Sequence, residues 1–220
     1  MNGPFERRAL EVAPTLLGAL VTVRDPERGA VTVRLTEVEA YEGEGDPGSH
    51  AYRGRTARTA PMFGAGGRLY VYFTYGMHWC ANVVCGPEGT ASAVLLRAGE
   101  VVAGRDLARE RRVAARRDLD LARGPARFAQ ALGLARDDND VVLTPGGRAE
   151  IALAPPPDPG TVRQGPRVGV AGPGGDAGQY PWRFWLAGEP SVSTYRAAQP
   201  RTRTRHTGPR TPSPEREAQA

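Results

Sequence analysis

The chain has no lysine, so all 29 basic residues among its 220 are arginine. An arginine guanidinium stays protonated and cannot form a Schiff base, whereas a desolvated lysine amine can. Chemistry through a lysine imine is therefore excluded. Cysteine is also scarce, because only Cys80 and Cys85 are present. Two thiols cannot fill a tetrahedral metal site. We therefore expect two small buried side chains in a reducing compartment, and no bound metal.

Long apolar segments are missing as well. The longest apolar runs, such as residues 93–96, are far too short to span a bilayer. Residues 1–8 have no apolar core behind a basic flank, so they do not read as a secretory signal. We therefore expect a cytoplasmic protein without membrane contact. With 40% apolar residues, the chain is long enough for one domain with a hydrophobic core.

The positive charge is unevenly distributed along the chain. Residues 197–220 hold five arginines and two glutamates, a net charge of +3 out of the total of +5. Such a composition is typical of a solvated, disordered segment rather than a specific reader of sequence. It can still raise non-specific DNA affinity by neutralising phosphates. We expect a single domain over residues 1–196 and a disordered basic tail over 197–220.

Hydrophobic periodicity and turn residues predict strands mixed with scattered helices. No strand–helix–strand alternation repeats, which favours the α+β class. The predicted elements are a helix over 6–20, strands meeting at a turn over 25–29, a strand over 31–41, a loop over 42–68, a hairpin of 69–75 and 77–84, a strand ending at 96, a helix over 101–119 and a short helix from 124 to 133.

The strand over residues 31–41 carries the first candidate chemistry. Alternate side chains of a strand share a face, so we expect one face to hold Val31, Val33, Leu35, Glu37, Glu39 and Tyr41. A carboxylate where an apolar face meets a loop is a plausible general base. The alternative, favoured on this segment alone, is a strand end that emerges into solvent.

Two neighbouring segments suggest contact with nucleic acid. Tyr75, at the predicted hairpin tip, is either a wedge for the base stack or a ring folded back on its own strands. The loop with His50, Arg53, Arg55 and Arg58 suits phosphate contacts and base stacking. Ordinary solvated loop residues are the alternative there.

In their order along the chain, several pieces resemble the alkyladenine (3-methyladenine) DNA glycosylase family. The resemblance covers roughly residues 10–193. The matching pieces are Thr36-Glu37-Val38-Glu39-Ala40-Tyr41, His50, Met62-Phe63, Leu69 to Met77, Cys80-Ala81-Asn82, Val94 to Ala98, Gly124-Pro125-Ala126, Pro166 to Val170, Pro181 to Phe184, Gly188 and Pro190.

The resemblance implies a role for each matching position. It implies a single α+β domain around a curved, mainly antiparallel sheet, with a protruding hairpin, peripheral helices and no cofactor. The implied roles are Glu39 as the base that activates water, Arg97 beside it, Tyr41, His50 and Tyr72 around a flipped base, Asn82 on the pocket floor, and Tyr75 with Met77 as the intercalating tip. Arg53, Arg55 and Arg58 are candidate contacts to the DNA backbone.

The function implied by the resemblance is that of a monofunctional glycosylase. Such an enzyme flips alkylated or deaminated purines out of double-stranded DNA and hydrolyses them to leave an abasic site. We expect a monomer associated with the nucleoid. The main alternative is a shape-reading nucleic-acid-binding module that needs neither Glu39 nor a cavity of base size. A base-flipping methyltransferase is a weaker alternative, because no cofactor loop follows a strand, and a fold relative acting on tRNA is a further one.

Overall fold

A computed structural model describes residues 3–74 and 76–198. Tyr75 and almost all of the expected tail, residues 199–220, lie outside the described residues. The strands are β1 Leu20–Asp25, β2 Gly29–Tyr41, β3 Leu69–Thr74, β4 His78–Val84, β5 Ala93–Ala103, β6 Ala149–Ala152, β7 Val162–Gly165 and β8 Arg183–Leu186. The helices are α1 Ala9–Val12, α2 Arg105–Arg111 and α3 Pro125–Leu132. Single 3₁₀ turns connect several of these elements.

All eight strands join one sheet, and their pairing is antiparallel throughout the described residues. The main path runs β3-β4-β5-β2-β1-β6, while β8 pairs with β2 and β7 pairs with β8. The long strand β2 is central, because β5 pairs along one of its edges. Its other edge is shared between β1, opposite residues 29–34, and β8, opposite residues 37–39. With few and short helices, this sheet confirms the predicted α+β class.

A bulge in β2 corrects the predicted side-chain alternation. Between Leu35 and Glu37 the pairing with β5 shifts by one residue, so Thr36 is the extra residue. Val31, Val33 and Leu35 pack in the hydrophobic core, but so do residues 38 and 40, which have the opposite parity. The expectation that residues 31–41 present one continuous face was therefore wrong. The bulge keeps aliphatic side chains in the core and turns the two carboxylates to the other face.

Two helix predictions were too long, and one strand prediction was too short. Instead of one helix over 6–20, α1 spans four residues and a 3₁₀ turn follows at Ala13–Leu16, since Pro14 lacks an amide hydrogen for a continuing helix. Strand β5 continues past residue 96 to Ala103, and α2 begins only at Arg105. Gly104 makes the sharp turn between them with φ of 71°, and a Cβ there would overlap the carbonyl oxygen of Ala30.

The hydrophobic core lies between one face of the sheet and the helices. Phe128 and Leu132 of α3 are fully buried in it, together with Leu16 and Leu17. Gly133 ends α3 in the left-handed conformation, as the sequence predicts for that helix. Both cysteines are buried and unbridged, as expected. A smaller cluster lies under the loop before β3; its buried members are Ala51, Met62, Tyr70, Val84, Ala91 and Ala93.

Within the described residues, no helix is long and apolar enough to cross a membrane. The same part of the chain contains no group of three or more His, Cys, Asp or Glu side chains arranged to hold a metal ion.

Candidate active site

A cavity of about 420 Å³ opens where the second half of β2 meets the β3–β4 hairpin. Strand β5, the start of α3 and two loops complete its walls. Its lining includes the predicted residues Glu39, Tyr41, His50, Tyr72, Asn82 and Arg97, together with Pro47, Gly48, Met62, Tyr70, Thr74, His78, Cys80, Leu95, Pro125, Ala126, Val168, Gly169, Val170 and Ala171. The structure thus brings together six residues that are spread over almost sixty positions of the sequence.

Glu39 is fully buried in the protein and lies in the wall of this cavity. Its Oε2 accepts a hydrogen bond from the Tyr41 hydroxyl (2.9 Å) and lies 3.2 Å from Nη1 of Arg97. Its Oε1 accepts the backbone N–H of Val168 at 2.7 Å. Two hydrogen bonds and one ion pair, from three segments of the chain, therefore fix the orientation of this carboxylate.

Glu37, two residues earlier, is also fully buried but does not line the cavity. Its carboxylate accepts hydrogen bonds from Nε of Arg97 (3.0 Å) and from Nε of Arg183 (2.6 Å). Ser193 adds its backbone N–H at 2.7 Å and its hydroxyl at 2.9 Å. Burial raises the pKa of Glu37, but the two guanidinium groups and Ser193 outweigh it and lower the pKa below its usual value.

Arg97 links the two glutamates and is almost completely buried. Burial acts to lower its pKa, but the negative charges of Glu39 and Glu37 dominate and raise it. This arginine is therefore a permanent positive charge beside Glu39. The sequence predicted Arg97 near the glutamate, and the structure shows that proximity; a contact to DNA is untested.

Aromatic rings form the wall that faces these charges. Tyr70 and Tyr72 stack with ring centres 5.4 Å apart, and His50 meets Tyr72 edge-to-face at 4.5 Å. The Tyr70 hydroxyl lies 3.3 Å from Nδ1 of His50. Part of His50 is open to solvent, yet the surrounding protein and then the charge of Arg58 lower its pKa to about 4. The imidazole is therefore neutral at physiological pH.

Two tyrosines of the cavity are held in the neutral form. Burial, and then the nearby charge of Glu39, raise the pKa of Tyr41 well above its usual value. Burial also raises the pKa of Tyr72. Asn82 lines the same cavity, is buried, and donates from Nδ2 to the carbonyl oxygen of Tyr70 at 3.0 Å. Aromatic rings thus form one part of the lining, and the charged side chains in it are Glu39 and Arg97.

The predicted hairpin is present, and Met77 beside its tip is exposed. The role of the tip as a wedge is untested, because Tyr75 lies outside the described residues. Arg53, Arg55 and Arg58 are exposed on the loop before β3. Of these three, Arg58 approaches the cavity wall, since its Cζ lies 5.6 Å from the centre of the Tyr72 ring.

Sequence reasoning missed several residues that build the site. Tyr70 forms part of the aromatic wall, and the Val168 N–H binds Glu39 from a distant loop. Arg167 is buried against Asp46 and the Tyr41 ring. The only signal for Val168 and Arg167 was their place in the Pro166-Arg167-Val168-Gly169-Val170 motif, which assigns no role. No sequence signal identified Asp46.

The sequence is similar to known proteins over most of its length. The family model for methylpurine-DNA glycosylase matches residues 4–190. A protein of Streptomyces avermitilis, provisionally named a 3-methyladenine DNA glycosylase, is 56% identical over 90% of this chain and 92% of its own. Relatives with the same name from Leifsonia xyli and Frankia casuarinae are 56% and 53% identical, over 87% and 86% of this chain and 90% and 89% of their own.

The chain belongs to the methylpurine-DNA glycosylase family. Its class is therefore that of the DNA glycosylases, which hydrolyse N-glycosidic bonds in DNA and act in the repair of alkylation damage.

Proposed function

We propose that this protein is a monofunctional glycosylase that excises alkylated and deaminated purines from double-stranded DNA and leaves an abasic site. The substrates are bases of the 3-methyladenine, 7-methylguanine, hypoxanthine and ethenoadenine class. The enzyme acts as a monomer on the DNA of the nucleoid. The domain over residues 1–196 contains the proposed site, and the tail over 197–220 adds non-specific affinity for DNA.

The position of Glu39 carries this proposal. Its carboxylate lies in the wall of a cavity of about 420 Å³, held by Tyr41, Arg97 and Val168. In the proposed reaction Glu39 takes a proton from water, whose oxygen forms a bond to C1′ of the deoxyribose. The N-glycosidic bond breaks, and its electron pair leaves with the purine. The negative charge of the carboxylate also stabilises the oxocarbenium-like transition state.

The aromatic walls support purine recognition. The rings of Tyr72 and Tyr41 and the imidazole of His50 offer flat surfaces for a flipped base, while Asn82 limits the floor. Because His50 is neutral at physiological pH, it does not repel a positively charged methylated purine. Neutral lesions such as hypoxanthine stack on the same surfaces, and their weaker pairing lowers the cost of flipping.

The remaining candidate residues support binding to duplex DNA. Met77, with Tyr75, fills the gap left by the flipped nucleotide, while Arg53, Arg55 and Arg58 contact phosphates. The absence of lysine supports direct hydrolysis without an imine. Borohydride should therefore trap no covalent enzyme–DNA adduct on lesion duplexes, and a trapped adduct would contradict the monofunctional proposal.

The decisive experiment compares wild type with Glu39→Gln on duplexes that carry hypoxanthine, ethenoadenine or methylated purines. Alkali then converts each abasic site into a strand break. The expected loss in the single-turnover rate is about 100-fold to 10,000-fold, as for removal of a general base, while lesion-duplex binding is retained. The matched control is Glu110→Gln, which removes an exposed surface carboxylate paired with Arg28 and should leave the rate unchanged.

The alternative function makes a different prediction in the same experiment. A shape-reading binding module would bind lesion duplexes equally well with either residue at position 39 and would excise no base. Binding without excision by the wild type would therefore overturn the catalytic proposal.

A further inference from the structure

Arg167 is the largest of the side chains that are fully buried, and it is charged. Its guanidinium donates to both carboxylate oxygens of Asp46, at 2.5 and 2.6 Å, and Asp46 is itself fully buried. It also donates to the carbonyl oxygens of Ala40 (3.1 Å) and Gly174 (2.7 Å). Nε of Arg167 has no hydrogen-bond partner among the described residues. One charged side chain thus joins three segments around the cavity.

Stability alone is a weak reason for this arrangement. Replacing a buried ion pair by apolar residues of similar volume is often neutral or stabilising, because desolvation offsets the attraction between the charges. The unpaired N–H of Arg167 adds to that cost. A costly buried pair next to a reactive centre therefore points to a requirement for geometry.

The first route from Arg167 to the reactive centre runs through Tyr41. The Cζ atom of Arg167 lies 4.6 Å from the centre of the Tyr41 ring and 5.2 Å from that of Trp182. The guanidinium also holds the carbonyl of Ala40, the residue immediately before Tyr41. It therefore fixes both the backbone and the ring of the tyrosine that donates to Oε2 of Glu39.

The second route runs through the backbone. Val168 follows Arg167 directly, and its N–H donates to Oε1 of Glu39. Asp46 extends the arrangement on the other side, since its carboxylate also accepts the backbone N–H groups of Glu42 and Gly48. The loop held in this way leads to His50 on the cavity wall. Both oxygens of Glu39 and the His50 loop thus depend on one buried ion pair.

We propose that Arg167, held by Asp46, is a positioning residue that orients Glu39 through the Tyr41 hydroxyl and the Val168 N–H. The inference rests on the proposed role of Glu39 as the base. A glutamate side chain has several accessible rotamers, and small displacements of a reacting group cost large factors in rate. Arg167 does not line the cavity itself. Its loss should therefore act mainly on the chemical step, with only a small effect on DNA affinity through the loop that leads to His50.

The test measures single-turnover excision of hypoxanthine and the Kd for the lesion duplex in several variants. Arg167→Lys keeps the positive charge but loses the planar fork that contacts Asp46, Ala40 and Gly174 together. We expect its excision rate to fall about 10-fold to 100-fold while Kd changes by less than about threefold. Asp46→Asn should give the same pattern with a smaller loss of rate.

A third variant displaces the guanidinium without deleting it. A methyl group at position 48 would overlap Nη2 of Arg167, so Gly48→Ala should also lower the rate. Because Gly48 lines the cavity, the rate is compared at saturating enzyme, where a change in affinity does not contribute. This variant keeps the inference testable if Arg167→Lys does not fold. The matched control is Arg148→Lys, because Arg148 pairs with the buried Asp138 and neither residue lines the cavity. It should lower the unfolding temperature without changing the rate.

Coupling to Tyr41 separates positioning from general destabilisation. If Arg167 acts partly through the Tyr41 hydroxyl, the losses of rate in Tyr41→Phe and Arg167→Lys will be less than additive in the double variant. Strictly additive losses, or losses of rate and affinity in proportion to the loss of stability, would overturn the inference. So would a wild-type rate in Arg167→Lys while Glu39→Gln is inactive. An active Glu39→Gln would instead refute the proposed function, whatever Arg167 does.

Discussion

Glu37 and Glu39 are two residues apart on β2 and both fully buried, yet they lie in different surroundings. Every contact of Glu37 faces inward, where two arginines and Ser193 satisfy its oxygens. Glu39 is held by as many separate groups, but it lies in the wall of the cavity. Burial therefore does not distinguish the two carboxylates. They differ in access to the cavity, which only Glu39 lines, and this difference is the reason for proposing Glu39 as the base.

The largest difference between the two residues should be in stability. Glu37→Gln leaves Arg183 without a carboxylate partner among the described residues and removes one of the two partners of Arg97, so we expect it to lower the free energy of unfolding by about 3–5 kcal/mol. In Glu39→Gln, Arg97 keeps Glu37 as its partner, so the expected loss is only about 1 kcal/mol. Urea titrations of the two variants measure both values. Equal losses of unfolding free energy in the two variants would contradict the different roles assigned to Glu37 and Glu39.

The pH dependence of stability should also depend on Glu37. Its pKa in the folded protein lies below the 4.5 of an unperturbed glutamate. The stabilisation is therefore complete above about pH 4.5 and is lost as the pH falls through the folded pKa. Thermal unfolding between pH 3 and 7 should show a steeper acid loss in wild type than in Glu37→Gln. Parallel curves for the two proteins would contradict the assigned charge network.

A smaller effect, on DNA binding instead of stability, is expected for the five arginines of residues 199–220. Deleting this segment removes five arginines, while the residues of the cavity are untouched. The slope of log K against log salt for undamaged DNA should become shallower by up to about 4.5, because each phosphate contact contributes roughly 0.9. The single-turnover rate at saturating enzyme should not change. An unchanged slope would show that the segment does not contact DNA.

The smallest effect concerns His50. Burial contributes most to its low pKa, and the exposed Arg58 contributes less. In Arg58→Ala the pKa should therefore rise only partly from about 4 towards 6.5, and the imidazole stays neutral at pH 7. An NMR titration of the histidine ring signals follows this directly. A wild-type pKa near 6.5 would show that the cavity does not desolvate His50.

Local sequence patterns predicted some elements well and the site geometry only in part. The β3–β4 hairpin and α3 follow from alternation and from glycine and proline at their ends. The β2 bulge could not be predicted, because nothing in the order of residues 31–41 marks Thr36 as the unpaired residue. A bulge arises from the register with another strand, and that register depends on tertiary packing.

The site residues also fall into two groups, those recognisable from local motifs and those that depend on long-range contacts. Glu39, Tyr41 and Arg97 were recognisable from their motifs, and the structure places the Tyr41 hydroxyl and the Arg97 guanidinium within 3.2 Å of the Glu39 carboxylate. Asp46 was not recognisable, because a single aspartate in a glycine-rich loop carries no local signal. Its partner Arg167 lies 121 residues away in the sequence. Contacts at that separation depend on the whole fold and leave no periodicity in either segment.

The partners of Glu37 have a consequence for protein synthesis. Arg183 and Ser193 lie 146 and 156 residues after it in the chain. A nascent chain that ends before these two residues contains the motif with Glu39. In such a chain Arg97 is the only one of the three partners of Glu37 that is present. Ribosomal products that stop early should therefore fail to assemble the cavity and be exposed to proteolysis. Excision activity should therefore require synthesis of the chain at least as far as Ser193.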